Sequence, residues 1–293
     1  PAQSYTIPVV FHVLHQGGPE NISDAQIMDA MRILNEDFNK QNADTTDVTP
    51  YYQNNIADMQ VTFRLANIDP NGNYTNGIDR IYSSLTYVGG PSARLNEWDP
   101  NRYLNIWVLR NMVSYPGYAY YPGSVISGDS SVPACGDLML LSDFIGSIGT
   151  GNYILSRALT HEVGHYLCLM QPWGPTMEPG VACAEGDSVA DTPPTRGSIS
   201  CNLALNYCTG NIPENVQNFM EFSYCSRMFT NGQKARVNTC LNNYRYNLSS
   251  AGNLTATGTD YANPLPSAPI ADFSVDKRLV CLGTPVTFSD NSY

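Results

Sequence analysis

Leu159–Thr160–His161–Glu162–Val163–Gly164–His165–Tyr166–Leu167 is the stretch on which the reading of this chain turns. Leu155, Leu159, Val163 and Tyr166 recur at helical spacing, so a helix is expected from about Tyr153 to Leu169, ended by Pro172 and Gly174. On a helix, positions i and i+4 stand one above the other, which aims the His161 and His165 imidazoles at one point. Neutral imidazole is a preferred zinc ligand. Glu162, beside the first histidine, is placed to reach a zinc-bound water rather than the metal. It would take the proton of that water, activating it against a peptide carbonyl polarised by the same ion. The bland alternative is two stacked surface histidines. With four histidines in the whole chain, their arrangement around a glutamate favours the metal.

A catalytic zinc site takes three protein ligands. The other histidines, His12 and His15, lie on an N-terminal strand and read as packed or hydrogen-bonded strand residues. Two candidates remain. Gln171 follows His165 closely, and a sharp turn at Cys168 would swing it under the metal. Glu185 lies farther on, at the approximate spacing with which a second helix supplies a carboxylate. Trp173–Gly174–Pro175, Pro179 and Gly180 intervene, however, and no helix is legible around Glu185. Gln171 is preferred.

Around this motif the chain reads as a mixed α/β protein. Tyr5–Leu14, Val61–Leu65, Tyr103–Leu109 and Leu138–Leu141 are expected strands. Ser23 caps a helix running to about Asn39, with Ile27, Met31, Leu34 and Phe38 on one face. Thr230 and Gln233 form a capping box for a last helix to about Tyr244. Between Gly174 and Cys225 there is almost no periodicity, only turns and cysteines.

Residues 1–262 are therefore expected to form one domain, with an N-terminal subdomain to about 170 and a loop-rich C-terminal subdomain over 171–262. The three prolines of 263–269 read as a linker. Residues 270–293 alternate like the first strands of an immunoglobulin-like module of PKD type, too short for a whole sandwich.

Composition sets the compartment and the partners. The net charge of −11 repels nucleic-acid backbones and anionic membranes. No run approaches the roughly 20 apolar residues of a membrane-spanning helix. Cys183, Cys201, Cys208 and Cys225 crowd one turn-rich stretch without CxxC spacing, which reads as a disulfide framework and hence export. The chain opens at Pro1 without a leader-like stretch, as a mature or trimmed exported protein would. A monomer acting on a peptide or protein substrate is expected.

Several separated segments resemble the pappalysin family of metzincin metallopeptidases, among its ulilysin-like and mirolysin-like members. They are Ile7–Val13, Leu34–Asn39, Thr75–Arg80, Leu159–Leu167, Gly186–Pro193 and Asn218–Phe222, in that order. The resemblance implies a twisted mixed sheet with a backing helix and an active-site helix, and Met220 as the methionine beneath the zinc. It also implies a calcium site with Asp187 and Thr192 among its ligands, and disulfides Cys183–Cys208 and Cys201–Cys225. A Cys135–Cys168 bond near the site is a further expectation.

Three positions depart from that pattern. Cys168 stands where the family has a glycine, Gln171 where it has a third histidine, and Phe222 where it has a tyrosine that holds the tetrahedral intermediate. Phe222–Arg227 also contains no acidic residue, whereas close relatives carry acidic side chains there and favour basic residues after the scissile bond. The expected function is a secreted zinc endopeptidase with Glu162 as its base. The alternative is a pseudopeptidase, a degenerate metzincin binding peptides or proteins, motivated by Gln171, Cys168 and Phe222.

Overall fold

The computed structural model describes residues 4–112, 116–122, 138–174, 179–180, 183, 185–260, 273–277 and 279–290. Strand β1, Tyr5–His15, is the spine of a six-stranded sheet. On one edge it pairs in parallel with β4 (Leu104–Leu109) from Val9↔Leu104 to Val13↔Val108. Its other edge is shared. β2 (Val61–Leu65) runs beside Tyr5–Val9, and β3 (Ile78–Tyr82) beside Phe11–His15, both parallel to β1. Beyond β4 come the parallel β6 (Leu138–Leu141) and the short antiparallel β5 (Gly117–Ala119).

Strands buried on both faces read as continuous apolar runs, which is how β1 and β4 read. Ile7, Val9, Phe11 and Val13 point one way, into a core shared with Ile27, Leu34 and Phe38 of helix α1 (Asp24–Phe38) and Leu159 and Val163 of helix α2 (Ala158–Tyr166). On the opposite face Leu14, Trp107, Leu109 and Met139 form a smaller cluster. Polar side chains tie helix to sheet. Ser23 Oγ accepts from Gln26 N–H to cap α1, and the Asn35 side chain both donates to Phe63 O and accepts from Phe63 N.

Helix α2 begins later than expected. Asn152 caps a separate 3-10 turn over Tyr153–Leu155 by accepting from Ile154 N–H, so Leu155 stands outside the helical stripe. Helix α3 (Asn231–Asn243) opens on the capping box of Thr230 and Gln233, and a short α4 (Ala251–Ala256) follows. Strand β3 is not among the strands expected from the sequence; it has too little alternation to be seen without its partner β1.

Between α2 and α3 the described residues form no helix or strand, and cross-links hold them. Cys183 is joined to Cys208 and Cys201 to Cys225, each closing a loop whose chain-entropy effect is roughly 3 kcal/mol. Cys168 is joined to Cys240 of α3, which overturns the Cys168–Cys135 pairing; Cys135 itself lies outside the described residues. A lone sequence gives no sign that Cys168 and Cys240, 72 positions apart, meet. The linker at 263–269 is likewise outside the described residues. β7 (Phe273–Val275) and β8 (Phe288–Asp290) pair antiparallel as a separate two-stranded sheet. No described helix is long and apolar enough to cross a membrane.

Candidate active site

The site is built on one face of α2. Ala158, His161, Glu162 and His165 share that face and line a cleft of about 570 Å³. The imidazoles of His161 and His165 stand perpendicular, with centroids 4.6 Å apart. Each ring is held from behind. His161 Nδ1 lies 2.8 Å from Phe219 O, and His165 Nδ1 lies 2.7 Å from Leu169 O. A carbonyl can only accept, so the proton sits on Nδ1 and each Nε2 keeps its lone pair. Burial lowers the pKa of both rings, to about 4 for His161 and about 3 for His165, which His161 also disfavours. Both are therefore neutral near pH 7, the form a metal ion requires.

Gln171 comes to the same place. Its side-chain amide nitrogen donates to His165 Nε2 at 3.1 Å, and the residue is buried. Rotated by half a turn about its last bond, the amide offers its carbonyl oxygen to the same space. No group of three His, Cys, Asp or Glu side chains able to hold a metal occurs among the described residues. An amide oxygen beside two neutral imidazoles would be a weaker zinc donor than a third imidazole. Glu185 is exposed, its Cβ packed against Gly174, and it does not line the cleft. His12 and His15 also stay out. His12 is fully buried on β1, bonded to Asp79 and Asn105 and stacked on Trp107.

The end of α2 is what brings Gln171 round. Leu169 N–H donates to Gly164 O and Cys168 N–H to His165 O, the two bonds of a Schellman cap, with Cys168 in the left-handed region at φ +72°. The sharp turn expected at Cys168 is this one.

Glu162 is half-buried, and one of its carboxylate oxygens, Oε2, is itself covered and has no hydrogen-bond partner among the described residues. Burial raises its pKa to about 8, opposed by a hydrogen bond from the Ala119 backbone. Sequence reasoning missed the wall opposite. Gly117 of β5 passes so close that a Cβ there would fall 2.4 Å from Leu140 Cδ2 and 3.2 Å from Glu162 Oε1. Its only signal was a glycine after a proline, which marks a turn as readily as a close approach.

Below the histidines, Met220 is buried under Gly164. Asn218 shapes the turn, accepting from Met220 N–H and exchanging amide hydrogen bonds with Gln233 of α3. Phe222 packs 5.4 Å from the His161 ring and 5.0 Å from Trp173, so no hydroxyl stands at that position. On this side the cleft is lined by Phe222, Ser223, Tyr224 and Ser226, without a carboxylate beyond Glu221, which accepts from Ser198 N–H and the Thr195 hydroxyl.

A second cluster lies in the loop before α3. Asp187 Oδ1 accepts from Val189 N–H at 2.9 Å and from Thr192 Oγ1 at 2.6 Å, and Thr192 Oγ1 also meets Val189 O at 2.9 Å. Asp187 Oδ2 is buried without a partner. Arg236 of α3 donates to Asp187 O and Ser188 O.

Residues 92–242 match the Peptidase_M43 family model, described as pregnancy-associated plasma protein-A. The chain is 26% identical over 245 residues to an extracellular metalloprotease of Uncinocarpus reesii, covering 82% of this chain and 77% of that protein. It is 27% identical over 249 residues to extracellular metalloprotease 1 of Coccidioides posadasii, covering 82% and 78%. Among solved structures, mature mirolysin of Tannerella forsythia in complex with a cleaved peptide superposes with a TM-score of 0.78 at 31% identity, over 88% of this chain and 99% of that one.

Proposed function

The chain belongs to the Peptidase_M43 family, and from that premise we propose that it is a secreted zinc endopeptidase in which His161, His165 and Gln171 hold the ion and Glu162 moves the proton. That it is a metalloendopeptidase follows from the family and from the mirolysin fold it shares. One observation carries the assignment of residues. Two neutral imidazoles, their tautomers fixed by backbone carbonyls, stand in one cleft with a carboxylate whose covered Oε2 has no hydrogen-bond partner among the described residues. Secretion is supported by the extracellular relatives and by three disulfides among the described residues.

Zinc, when bound, supplies a Lewis acid that polarises the scissile carbonyl and lowers the pKa of an attacking water toward about 7. The chain supplies the rest. Glu162 takes the proton from the water and returns it to the leaving amine. Glu162, whose pKa burial raises, would be held ionised beside a bound cation. The Phe219 and Leu169 carbonyls hold the rings in place. Met220, packed under Gly164, supports the floor.

Calcium is proposed for the second cluster. Three oxygens, Asp187 Oδ1, Thr192 Oγ1 and Val189 O, converge there, and the partnerless Asp187 Oδ2 suits a hard cation with oxygen ligands.

A second reading, a pseudopeptidase that binds peptides without cutting them, is motivated by Phe222, which brings no hydroxyl to a developing oxyanion. Casein or gelatin cleavage by the wild type, Glu162→Ala and Gln171→His separates the two. Turnover abolished by Glu162→Ala supports the endopeptidase. Zinc bound without turnover in any of the three supports the binding module.

A further inference from the structure

We propose that the Cys168–Cys240 disulfide is a positioning device for the metal site. It holds the turn after α2 in the left-handed conformation that presents Gln171, doing with a cross-link what glycine does by having no side chain. This rests on the reading of Gln171 as a metal ligand.

At Cys168 the chain needs φ +72°, a region that residues with a Cβ rarely adopt and that a helix-ending Schellman cap normally assigns to glycine. Left alone, a cysteine there shifts the equilibrium toward other endings of the helix. The bond to Cys240 opposes this. Cys240 is buried on α3, whose start is fixed by its capping box and by the Asn218–Gln233 amide pair beneath the site. The cross-link thus joins the turn to an element that also carries the Met220 turn.

Two contacts with His165 depend on that turn. The residue after Cys168 supplies Leu169 O to His165 Nδ1, and Gln171 reaches His165 Nε2. Two of the atoms that meet this imidazole therefore come from residues 169–171, and the Tyr121 hydroxyl, 3.2 Å from Nδ1, comes from outside the turn. Loss of the left-handed turn therefore loosens the third donor and the second histidine together. Cys168 is partly buried and Cys240 almost wholly so, which suits a permanent tie.

The test is a comparison of zinc affinity by competition with a chromogenic chelator, using the full chain, with melting recorded alongside. Cys168→Gly/Cys240→Ser is expected to bind zinc within about threefold of the wild type, because glycine adopts the turn without help. Cys168→Ser/Cys240→Ser, which has neither device, is expected to bind at least tenfold more weakly. Adding Gln171→Ala to that variant should weaken it by less than Gln171→Ala weakens the wild type, since the amide is already misplaced.

A disulfide that merely stabilises α3 would lower the melting temperature of both cysteine variants equally and leave zinc affinity alike in the two. That result overturns the proposal. If the double serine variant does not fold, reduction with a phosphine replaces it: a tenfold loss of zinc affinity in the reduced wild type that reduced Cys168→Gly/Cys240→Ser does not share upholds the proposal, and equal losses, or none, overturn it. Wild-type affinity in Gln171→Ala would instead remove Gln171 as a ligand, and this proposal with it. A loss in Gln171→Ala alone, with none in the double serine variant, removes only this proposal.

Discussion

Met220 lies so close beneath Gly164 that a Cβ built on the glycine would sit 2.4 Å from the methionine sulfur. Helix α2 therefore rests directly on the turn below it. The backbone of the HExxH segment is spaced from the floor of the site by one sulfur atom and no side chain of its own.

Gly164→Ala should overpack this contact. Alanine is the better helix former, so a surface glycine would gain from the change. Here the buried Met220 must move, and the expected loss is about 2 kcal/mol, read as a fall of several degrees in Tm. A Tm equal to or above wild type would show that the contact is loose.

Gly117→Ala acts on the opposite wall, where the new methyl meets Leu140 and approaches the Glu162 carboxylate. Peptide hydrolysis should lose tenfold or more in kcat with little change in Tm, since β5 is a short edge strand. A Tm loss that accounts for the whole effect would contradict a role at Glu162.

Much of this architecture was legible because local signals and tertiary context agree. The apolar runs of β1 and β4, the Ser23 and Thr230 caps and the stripe of α2 all announce their elements. The paired histidines were readable because helical geometry alone brings them together. What was not legible depends on distant partners. β3 is a strand only through β1, β5 only through β6, and the Cys168–Cys240 bond only through the packing of α2 and α3. The turn that delivers Gln171 was inferred from need, because a cysteine carries no mark of positive φ.

The buried Asp37 offers a pH test remote from the cleft. It accepts from Thr160 Oγ1 and pairs with Arg157 Nε, and burial raises its pKa to about 7 despite Arg157. The native state then holds this proton more tightly than the unfolded chain, whose carboxyl titrates near 4. Stability should fall as pH rises between those two values. Asp37→Asn is expected to flatten that part of the Tm–pH curve; an unchanged slope would assign the dependence elsewhere.

Calcium removal tests the Asp187 cluster. A calcium-selective chelator that leaves zinc in place should lower Tm, and Asp187→Asn should make Tm indifferent to added calcium. No shift on chelation would leave the cluster held by Thr192, Val189 and Arg236 alone.

Metal stoichiometry is the most direct test of the central claim. Zinc per chain should be measured by elemental analysis after dialysis against a weak chelator, for the wild type, Glu162→Ala, His161→Ala and Gln171→Ala. The account predicts about one zinc in the wild type and in Glu162→Ala, almost none in His161→Ala, and a reduced share in Gln171→Ala. A wild-type protein that refuses zinc, or a His161→Ala variant that keeps its full complement, would contradict it.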